Sequence, residues 1–337
     1  MPLQSIKSIL VCGVLLGALA ADAQAVIMNW SAVGNAGNLN DGTGKGAVAY
    51  SYNIGTYDVT AGQYVEFLNV KDASGLNGLA LYNSQMSSPS SFPEITFHAG
   101  NLPGSKYSVI SGDQNLPINN VTWYDAIRFA NWMNNGQGNG STETGAYTLG
   151  PLSSVAGMTG IPINPPLTHN VGSSVWLPTE SEWYKAAYNI PGTNSYFQYP
   201  TSSDIIPIIS GPTNLPNHAN FIQSGSTFGG GPFQPTDVGA YTGTTSPYGA
   251  FDMAGNVYQW NEALISGSFR GLRGGSFRSS DHDLLSSSSR TGEAGSLQGA
   301  IAFGFRLASV PGVPEPSTGV LAAIAGGMLW WWRKRFK

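Results

Sequence analysis

Three segments of the chain place apolar residues at helical spacing directly after a threonine. Thr60 and Thr179 are each followed, three residues later, by Gln or Glu, which is the spacing of a capping box. Thr122 is also suited to cap a helix, because Thr is among the residues preferred at this position. Asp125 adds a carboxylate to the first turn, where the helix dipole favours negative charge. The pattern predicts helices over about 61–69, 123–135 and 180–188.

Outside these helices, apolar and polar residues alternate only over short stretches, which are typical of strands. Long segments rich in Ser, Gly and Pro separate them, and the chain contains 44 Gly and 21 Pro. The regular alternation of strand and helix that an α/β layer fold needs is missing. We therefore predict one compact α+β domain with short helices and strands and much irregular structure. The candidate strands are residues 50–57, 257–260, 272–277 and 303–307.

Composition narrows the possible partners. Charged residues make up only 10% of the 337 residues, and the net charge is −4. A chain without basic patches is a poor partner for nucleic acid, whose binding depends on Lys and Arg at phosphates. Hydrophobic residues make up 41% of the chain, and its one cysteine is Cys12. A chain of this length can bury a core without disulfides.

The amino-terminal segment has the pattern of a secretory leader. Lys7 precedes an apolar run over 9–21, and Ala23, Gln24 and Ala25 form a small-residue cleavage site. The run is too short to span a membrane as a helix. We predict a signal peptide over 1–25, followed by an amino-terminal extension of loop and strand over 26–49.

The carboxyl-terminal segment over 309–337 has three parts. The sequence Pro314-Glu315-Pro316 precedes an apolar stretch over 318–332, which is followed by a basic end. This order resembles the PEP-CTERM sorting signal of Gram-negative bacteria. The resemblance implies a short transmembrane helix, export across the inner membrane, removal of the tail by an exosortase, and a final place at the cell surface or in the extracellular matrix. The alternative is an ordinary membrane anchor that is never cut.

Five blocks of sequence, in order, resemble the sulfatase-modifying factor family, which includes the formylglycine-generating enzyme and the ergothioneine sulfoxide synthases. The resemblance covers residues 50–308 and implies a single α+β domain related to C-type lectins. The five blocks contain the segments IGTYDVT (54–60), PINNVTWYDAIRFANW (117–132), LPTESEW (177–183), SPYGAFDMAGNV (246–257), and, in the last block, RGGSF (273–277) with GFR (304–306).

The formylglycine-generating enzyme binds copper through two cysteines that follow its Gly-Gly-Ser motif. In this chain the corresponding positions are Ser279 and Leu284. Copper(I) is a soft ion that prefers thiolates, and neither a hydroxyl nor an isobutyl group replaces one. We therefore expect no copper and no cysteine-dependent oxidase activity.

The ergothioneine branch binds iron through histidines, partly from a second domain. The four histidines here form no short ligand pair, and that second domain is not recognisable. An iron oxygenase is therefore not expected. The histidines are His98, His169, His218 and His282.

The resemblance also implies a structural calcium site. Its ligands would be the side chain of Asp252, the carbonyls of Gly255 and Val257, and the side chain of Gln259. The family has Glu at this last position, so the site here would carry one charge fewer. A second site would use Asn220 and the Phe221 carbonyl, but its acidic partner is missing, because residues 231–233 are Gly, Pro and Phe. Hydrogen-bonded turns without metal are the alternative for both.

The predicted function is that of a non-catalytic binding or structural module of the cell envelope or exopolysaccharide. A peptide or glycan ligand would lie in the former substrate cleft, whose candidate lining residues are Asn256, Arg273, Ser279 and His282. The alternative is a metal-dependent enzyme of unrecognised chemistry that uses His282 with Asp281 or Asp283. The run from Ser279 to Asp283 contains the residue types of a hydrolase triad, but side chains of consecutive residues point in different directions.

Overall fold

The structure is a computed structural model that describes residues 25–88, 92–153, 159–162, 165–222, 234–267, 269–295 and 300–312. All of the predicted leader except Ala25, and nearly all of the predicted sorting tail, lie outside these residues. Within them, no helix is both long enough and apolar enough to cross a membrane. The helices are α1 (Ala61–Lys71), α2 (Trp123–Asn134) and α3 (Glu180–Tyr188), with short 3₁₀ helices at Ser84–Ser87 and His282–Leu285.

All three helices begin where the sequence predicts, at Thr60, Thr122 and Thr179. In each, the threonine hydroxyl accepts a hydrogen bond from the N–H three residues on, and that residue's side chain bonds the backbone N–H of the threonine. This arrangement satisfies two backbone N–H groups that a helix leaves without an internal partner. Helix α1 continues two residues beyond its predicted end.

The strands form two four-stranded sheets and two small two-stranded sheets within the described residues. The first sheet has the order β1-β2-β12-β5, and the second has the order β10-β9-β8-β11. The strands are β1 (Trp30–Val33), β2 (Tyr52–Gly55), β3 (Ile95–Phe97), β4 (Tyr107–Val109), β5 (Val175–Trp176), β6 (Ile208–Ile209), β7 (His218–Ala219), β8 (Tyr258–Ser266), β9 (Phe269–Arg273), β10 (Thr291–Ala294), β11 (Phe303–Gly304) and β12 (Ala308–Ser309).

The first sheet joins the two ends of the domain. Strand β12 pairs with β2 and β5, so that Ala308 lies beside both Ile54 and Trp176. Strand β1, which lies within the predicted amino-terminal extension, pairs with β2 over four residues. Residues 30–33 therefore form an edge strand of the first sheet.

The second sheet differs from the predicted strands. Strand β8 is nine residues long, whereas the sequence predicts only 257–260, and β9 ends at Arg273 instead of continuing to Phe277. Gly274 and Gly275 follow β9 with φ of 97° and 70°, a left-handed conformation that ends the extended backbone. Of the predicted strand over 303–307, only Phe303–Gly304 is a strand, and this strand, β11, runs parallel to β8.

Four buried tryptophans anchor the core, as the sequence predicts. None of the four is more than 1% exposed. Each indole N–H donates a hydrogen bond at 2.6–3.0 Å. The acceptor of Trp132 lies in the turn after its own helix, and the other three acceptors belong to distant segments. A buried indole contributes a large apolar area and needs such a partner for its polar atom. The tryptophans are Trp123, Trp132, Trp183 and Trp260.

Candidate functional site

The turn after β9 contains Ser279, the position that corresponds to the first of the two copper-binding cysteines of the formylglycine-generating enzyme. Ser279 is 3% exposed. Its Oγ accepts a hydrogen bond from the N–H of Ser276 at 2.8 Å and lies 3.4 Å from Oη of Tyr258. Its carbonyl accepts from the N–H of Ile222 at 2.8 Å. The serine hydroxyl therefore closes the turn instead of facing a substrate.

The second thiol position belongs to a small apolar cluster. Leu284 is partly buried and packs against a buried group that includes Tyr199, Phe221 and Leu285. Its isobutyl group supplies no electron pair for a metal. Chemistry that depends on two thiols has no counterpart at these two positions.

Arg273, a predicted cleft residue, is buried in an ion-pair network around Glu180. Its Nη2 lies 2.7 Å from Oε1 of Glu180, and its Nη1 donates to the carbonyl of Ser289 at 2.6 Å. Arg290 adds two hydrogen bonds at 2.8 Å to the same carboxylate, and Lys45 lies 3.2 Å from it. The sequence gives no sign of this pairing, because Glu180 and Arg273 are 93 residues apart.

The electrostatics of Glu180 follow from these neighbours. Burial alone would raise the pKa of its carboxyl, but the hydrogen bonds from Arg290 and the charge of Arg273 outweigh burial and lower the pKa to about 2. The carboxylate is therefore ionised over the whole physiological range. The neighbouring Glu182 has a different role, since its Oε2 accepts from the N–H of Thr179 at 2.8 Å and completes the helix cap.

Asn256 is also buried and bonded to protein groups. It is 1% exposed, and its φ is 59°. Its side chain accepts from the N–H of Thr236 at 3.0 Å and donates to the carbonyl of Thr236 at 3.1 Å. The preceding Gly255 packs so tightly that a Cβ would lie 2.2 Å from the carbonyl oxygen of Asn220. The turn at Gly255 and Asn256 therefore packs against the segments that contain Asn220 and Thr236.

His282 differs from the other three predicted cleft residues, because it is partly exposed while they are buried. It lies on the surface, where Nδ1 is 3.5 Å from Asp281 and Nε2 is 3.3 Å from Asp283. One ligand atom from each of these three residues lies within 4.8 Å of the others. Asp281 also accepts from the N–H of Asp283 at 2.9 Å, which caps the 3₁₀ helix. The structure thus brings together the residues of the metal-enzyme alternative, in an exposed position.

The first predicted calcium site does not fit a cation at Gln259. This residue is fully buried, and its Oε1 accepts from Nε1 of Trp183 at 2.6 Å and from Nε of Arg306 at 2.7 Å. Both lone pairs are occupied, and a guanidinium stands beside them. The carboxylate of Asp252 accepts from the N–H of Gly239 at 2.6 Å. Calcium needs six to eight free oxygen ligands, and Gln259 offers none.

The second predicted calcium site is only partly described. Asn220 is buried, and its Nδ2 donates to the carbonyl of Gln234 at 2.9 Å. The segment 231–233, from which the acidic partner would come, lies outside the described residues.

A buried arginine joins the first sequence block to the last. Arg306 is fully buried, and its Nη2 lies 2.9 Å from Oδ1 of Asp58. The guanidinium also donates to the carbonyls of Gly55 and Phe251, each at 2.8 Å, and to Gln259. One side chain therefore satisfies acceptors from three separate segments.

Asp58 contacts Arg306 directly, and a second buried carboxyl, Asp252, lies within the influence of the same charge. Burial raises the pKa of the Asp58 carboxyl, the charge of Arg306 opposes this effect, and the nearby Asp252 adds a smaller increase. Burial likewise raises the pKa of Asp252 to about 6. The Oδ2 atom of Asp58 is buried and has no hydrogen-bond partner among the described residues. Asp58 therefore depends on Arg306 to compensate its charge in the interior.

Asp58 also stands in the wall of an open cavity of about 460 Å³. The cavity is formed by residues from four separate segments, which explains why no motif in the sequence points to it. Its polar and aromatic lining consists of Asn29, Tyr57, Asp58, Thr60, Gln63, Asn115 and Asp237.

A second group that sequence analysis missed is the pair of Glu262 and His169. Oε1 of Glu262 accepts from Oη of Tyr147 at 2.6 Å and lies 2.8 Å from Nδ1 of His169, whose ring stacks on Trp176. Burial would lower the pKa of His169, but the hydrogen bond and charge of Glu262 raise it. Burial raises the pKa of Glu262. The pair can hold a proton, and its members are 93 residues apart.

The short capped helices and the small sheets, joined by the buried Asp58–Arg306 contact, form a mixed α+β domain with little regular structure. The chain matches the model of the sulfatase-modifying factor enzyme 1-like domain over residues 33–310, and it belongs to this family. The match begins inside the predicted amino-terminal extension, consistent with the pairing of β1.

Two similar proteins match this chain over only part of their own length. It is 32% identical over 120 residues to a hercynine oxygenase of Mycobacterium tuberculosis, covering 30% of this chain and 25% of that protein. It is 25% identical over 278 residues to the serine/threonine-protein kinase pkn1 of Chlamydia caviae, covering 77% of this chain and 33% of the kinase. The chain thus spans a quarter to a third of these relatives.

Solved structures agree with the fold. The chain is similar to CarF with a TM-score of 0.50 and 21% identity, covering 84% of this chain and 98% of CarF. It also resembles Treponema denticola variable protein 1, with a TM-score of 0.48 and 20% identity, covering 84% and 95%. At this level of identity the likeness to CarF shows the fold and not an activity.

Proposed function

We propose that this protein is an exported, non-catalytic binding or structural module of the cell envelope or exopolysaccharide. One observation carries the proposal: the two positions that correspond to the family's thiols are a buried, hydrogen-bonded Ser279 and an apolar Leu284. The one cysteine of the chain, Cys12, falls within the predicted leader. The domain keeps the framework of the family without the groups that bind copper and activate oxygen.

The two ends of the sequence support the place of action. A leader over 1–25 would direct export, and the tail after Pro314 would anchor the chain until an exosortase-type enzyme removes it. The proposal includes no calcium, because the fully bonded Gln259 offers no ligand atom.

The alternative remains a metal-dependent enzyme on the same fold. The specific observation in its favour is the cluster of Asp281, His282 and Asp283, whose ligand atoms lie within 4.8 Å of one another. The cluster is exposed, and exposed acidic groups are common without a metal. The non-catalytic proposal is therefore preferred.

Processing at both ends is the first prediction. In the native Gram-negative host, we expect the surface-located protein to lack residues 1–25 and the residues beyond Pro316, because the leader and the Pro-Glu-Pro motif are both cleavage signals. Intact-mass spectrometry of the protein released from the cell surface measures both ends. A matched variant with Pro314→Ala and Pro316→Ala should keep its tail and stay in the membrane fraction. An uncut tail in the unaltered protein would contradict the sorting proposal.

A further inference from the structure

We propose that the cavity beside Asp58 binds a neutral, hydroxyl-rich ligand, namely a saccharide unit without acidic groups. The inference rests on the proposed binding role and assigns it a site and a ligand class. The cavity has a volume of about 460 Å³ and is open to solvent. This volume falls within the range of about 300–1,000 Å³ that small-molecule sites occupy.

The charges around the cavity exclude acidic ligands. Two acids, Asp58 and Asp237, line it, and no Lys, Arg or His belongs to its described wall. A neighbouring depression of about 250 Å³ shares Gln63 with it and adds a third acid, Glu66. Arg306 lies behind Asp58, but its N–H groups are bonded to protein acceptors. A phosphate, sulfate or uronate would therefore be repelled.

The polar groups that face the cavity match hydroxyls better than a cation. The side chains of Asn29, Asn115 and Asp237 are exposed and have no hydrogen-bond partner in the part of the chain that the structure describes. The two amides offer donors as well as acceptors, whereas a cation needs acceptors alone.

An aromatic wall completes the site. The ring of Tyr57 lies 5.4 Å from that of Phe251, at an interplanar angle of 21°, so the stacking holds it in place. Gly239, with φ of 74°, lets the backbone approach this ring, since a Cβ there would lie 2.5 Å from it. A fixed aromatic surface beside polar groups suits the mixed C–H and O–H faces of a sugar.

The segments that form the wall are tied together before any ligand arrives. The carbonyl of Asn29 accepts from the N–H of Thr56 at 2.8 Å, and the carbonyl of Asn115 accepts from the N–H of Val238 at 2.9 Å. A wall that is ordered in advance loses little conformational entropy on binding.

The test uses the purified protein and a panel of neutral disaccharides of gluco, galacto and manno configuration, with a uronate disaccharide and spermidine as charged probes. Saturation-transfer NMR detects binding, and calorimetry gives Kd. We expect at least one neutral disaccharide to bind, with Kd at least tenfold lower than that of either charged probe. Asn115→Ala and Asp237→Ala should each weaken binding about fivefold, the effect of losing one hydrogen bond.

The control is Asn139→Ala, which removes an exposed asparagine from the loop after α2 and should leave Kd unchanged within twofold. The inference is overturned if no neutral disaccharide binds, if spermidine or the uronate binds most tightly, or if the two wall variants bind like the control. A protein that binds no saccharide and also lacks a transition metal and oxidase activity would refute this inference while leaving the non-catalytic proposal intact.

Discussion

Replacing Arg306 by methionine is expected to lower the free energy of unfolding by at least about 3–5 kcal/mol, the usual cost of removing one partner of a buried ion pair. The guanidinium is fully buried and bonded to Asp58, Gly55, Phe251 and Gln259. Its loss leaves these acceptors unsatisfied in the interior, and each such group costs about 1–3 kcal/mol. Since domains are stable by only about 5–15 kcal/mol, partial or complete unfolding should follow.

Urea denaturation followed by tryptophan fluorescence measures the effect of Arg306→Met. Arg278→Met is the matched control, because Arg278 is exposed and its guanidinium only covers the ring of Phe277, 5.8 Å away. Surface changes of this kind stay within about 0.5 kcal/mol. Arg306→Lys keeps the charge but loses the several N–H donors of the guanidinium, so its free energy of unfolding should fall between those of Arg306→Met and the control. An Arg306→Met protein as stable as the control would show that this link does not hold the first and last blocks together.

Glu180→Gln is expected to lower the free energy of unfolding by about 3 kcal/mol at neutral pH, near the low end for a buried pair. The amide cannot neutralise Arg273, which is only 3% exposed, and it weakens the contacts with Arg290 and Lys45. The loss should depend on pH. The pKa of Glu180 is about 2 in the folded protein, against an ordinary value of 4.5.

Because the folded pKa is the lower one, the stabilisation by Glu180 is complete above about pH 4.5 and disappears as the pH falls towards 2. Denaturation curves at pH 7, 5 and 3 should therefore show the difference between Glu180→Gln and the unaltered protein shrinking at the lowest pH. Glu293→Gln, on the partly exposed β10, is the control. An equal loss at pH 7 and pH 3 would contradict the assignment of Glu180 as an ionised partner.

The helices could be predicted from the sequence because their signals are local. The threonine caps and the residues three positions on lie within one turn, so α1, α2 and α3 begin where predicted. The strands depend on partners far away in the sequence. The parallel pairing of Phe303 with Tyr258 leaves no local trace, and the length of β8 was accordingly underestimated.

The site was harder to predict for the same reason. Resemblance to the family suggested that Arg273 and Ser279 line a cleft, but their burial depends on Glu180 and on the Ser276 turn. In the sequence, Asp58 is one residue of the block IGTYDVT (54–60), and its contact with Arg306 spans 248 residues. Chemistry that is assembled from distant segments becomes visible only once the chain is folded.

One combined measurement decides whether the domain is non-catalytic. The purified protein is analysed for copper, iron and zinc, and is then incubated in air with a sulfatase-type peptide whose cysteine is followed by mass spectrometry. We expect no transition metal at one per chain and no conversion of cysteine to formylglycine. One metal per chain that is lost in Asp281→Asn, or conversion of the peptide, would contradict the non-catalytic proposal.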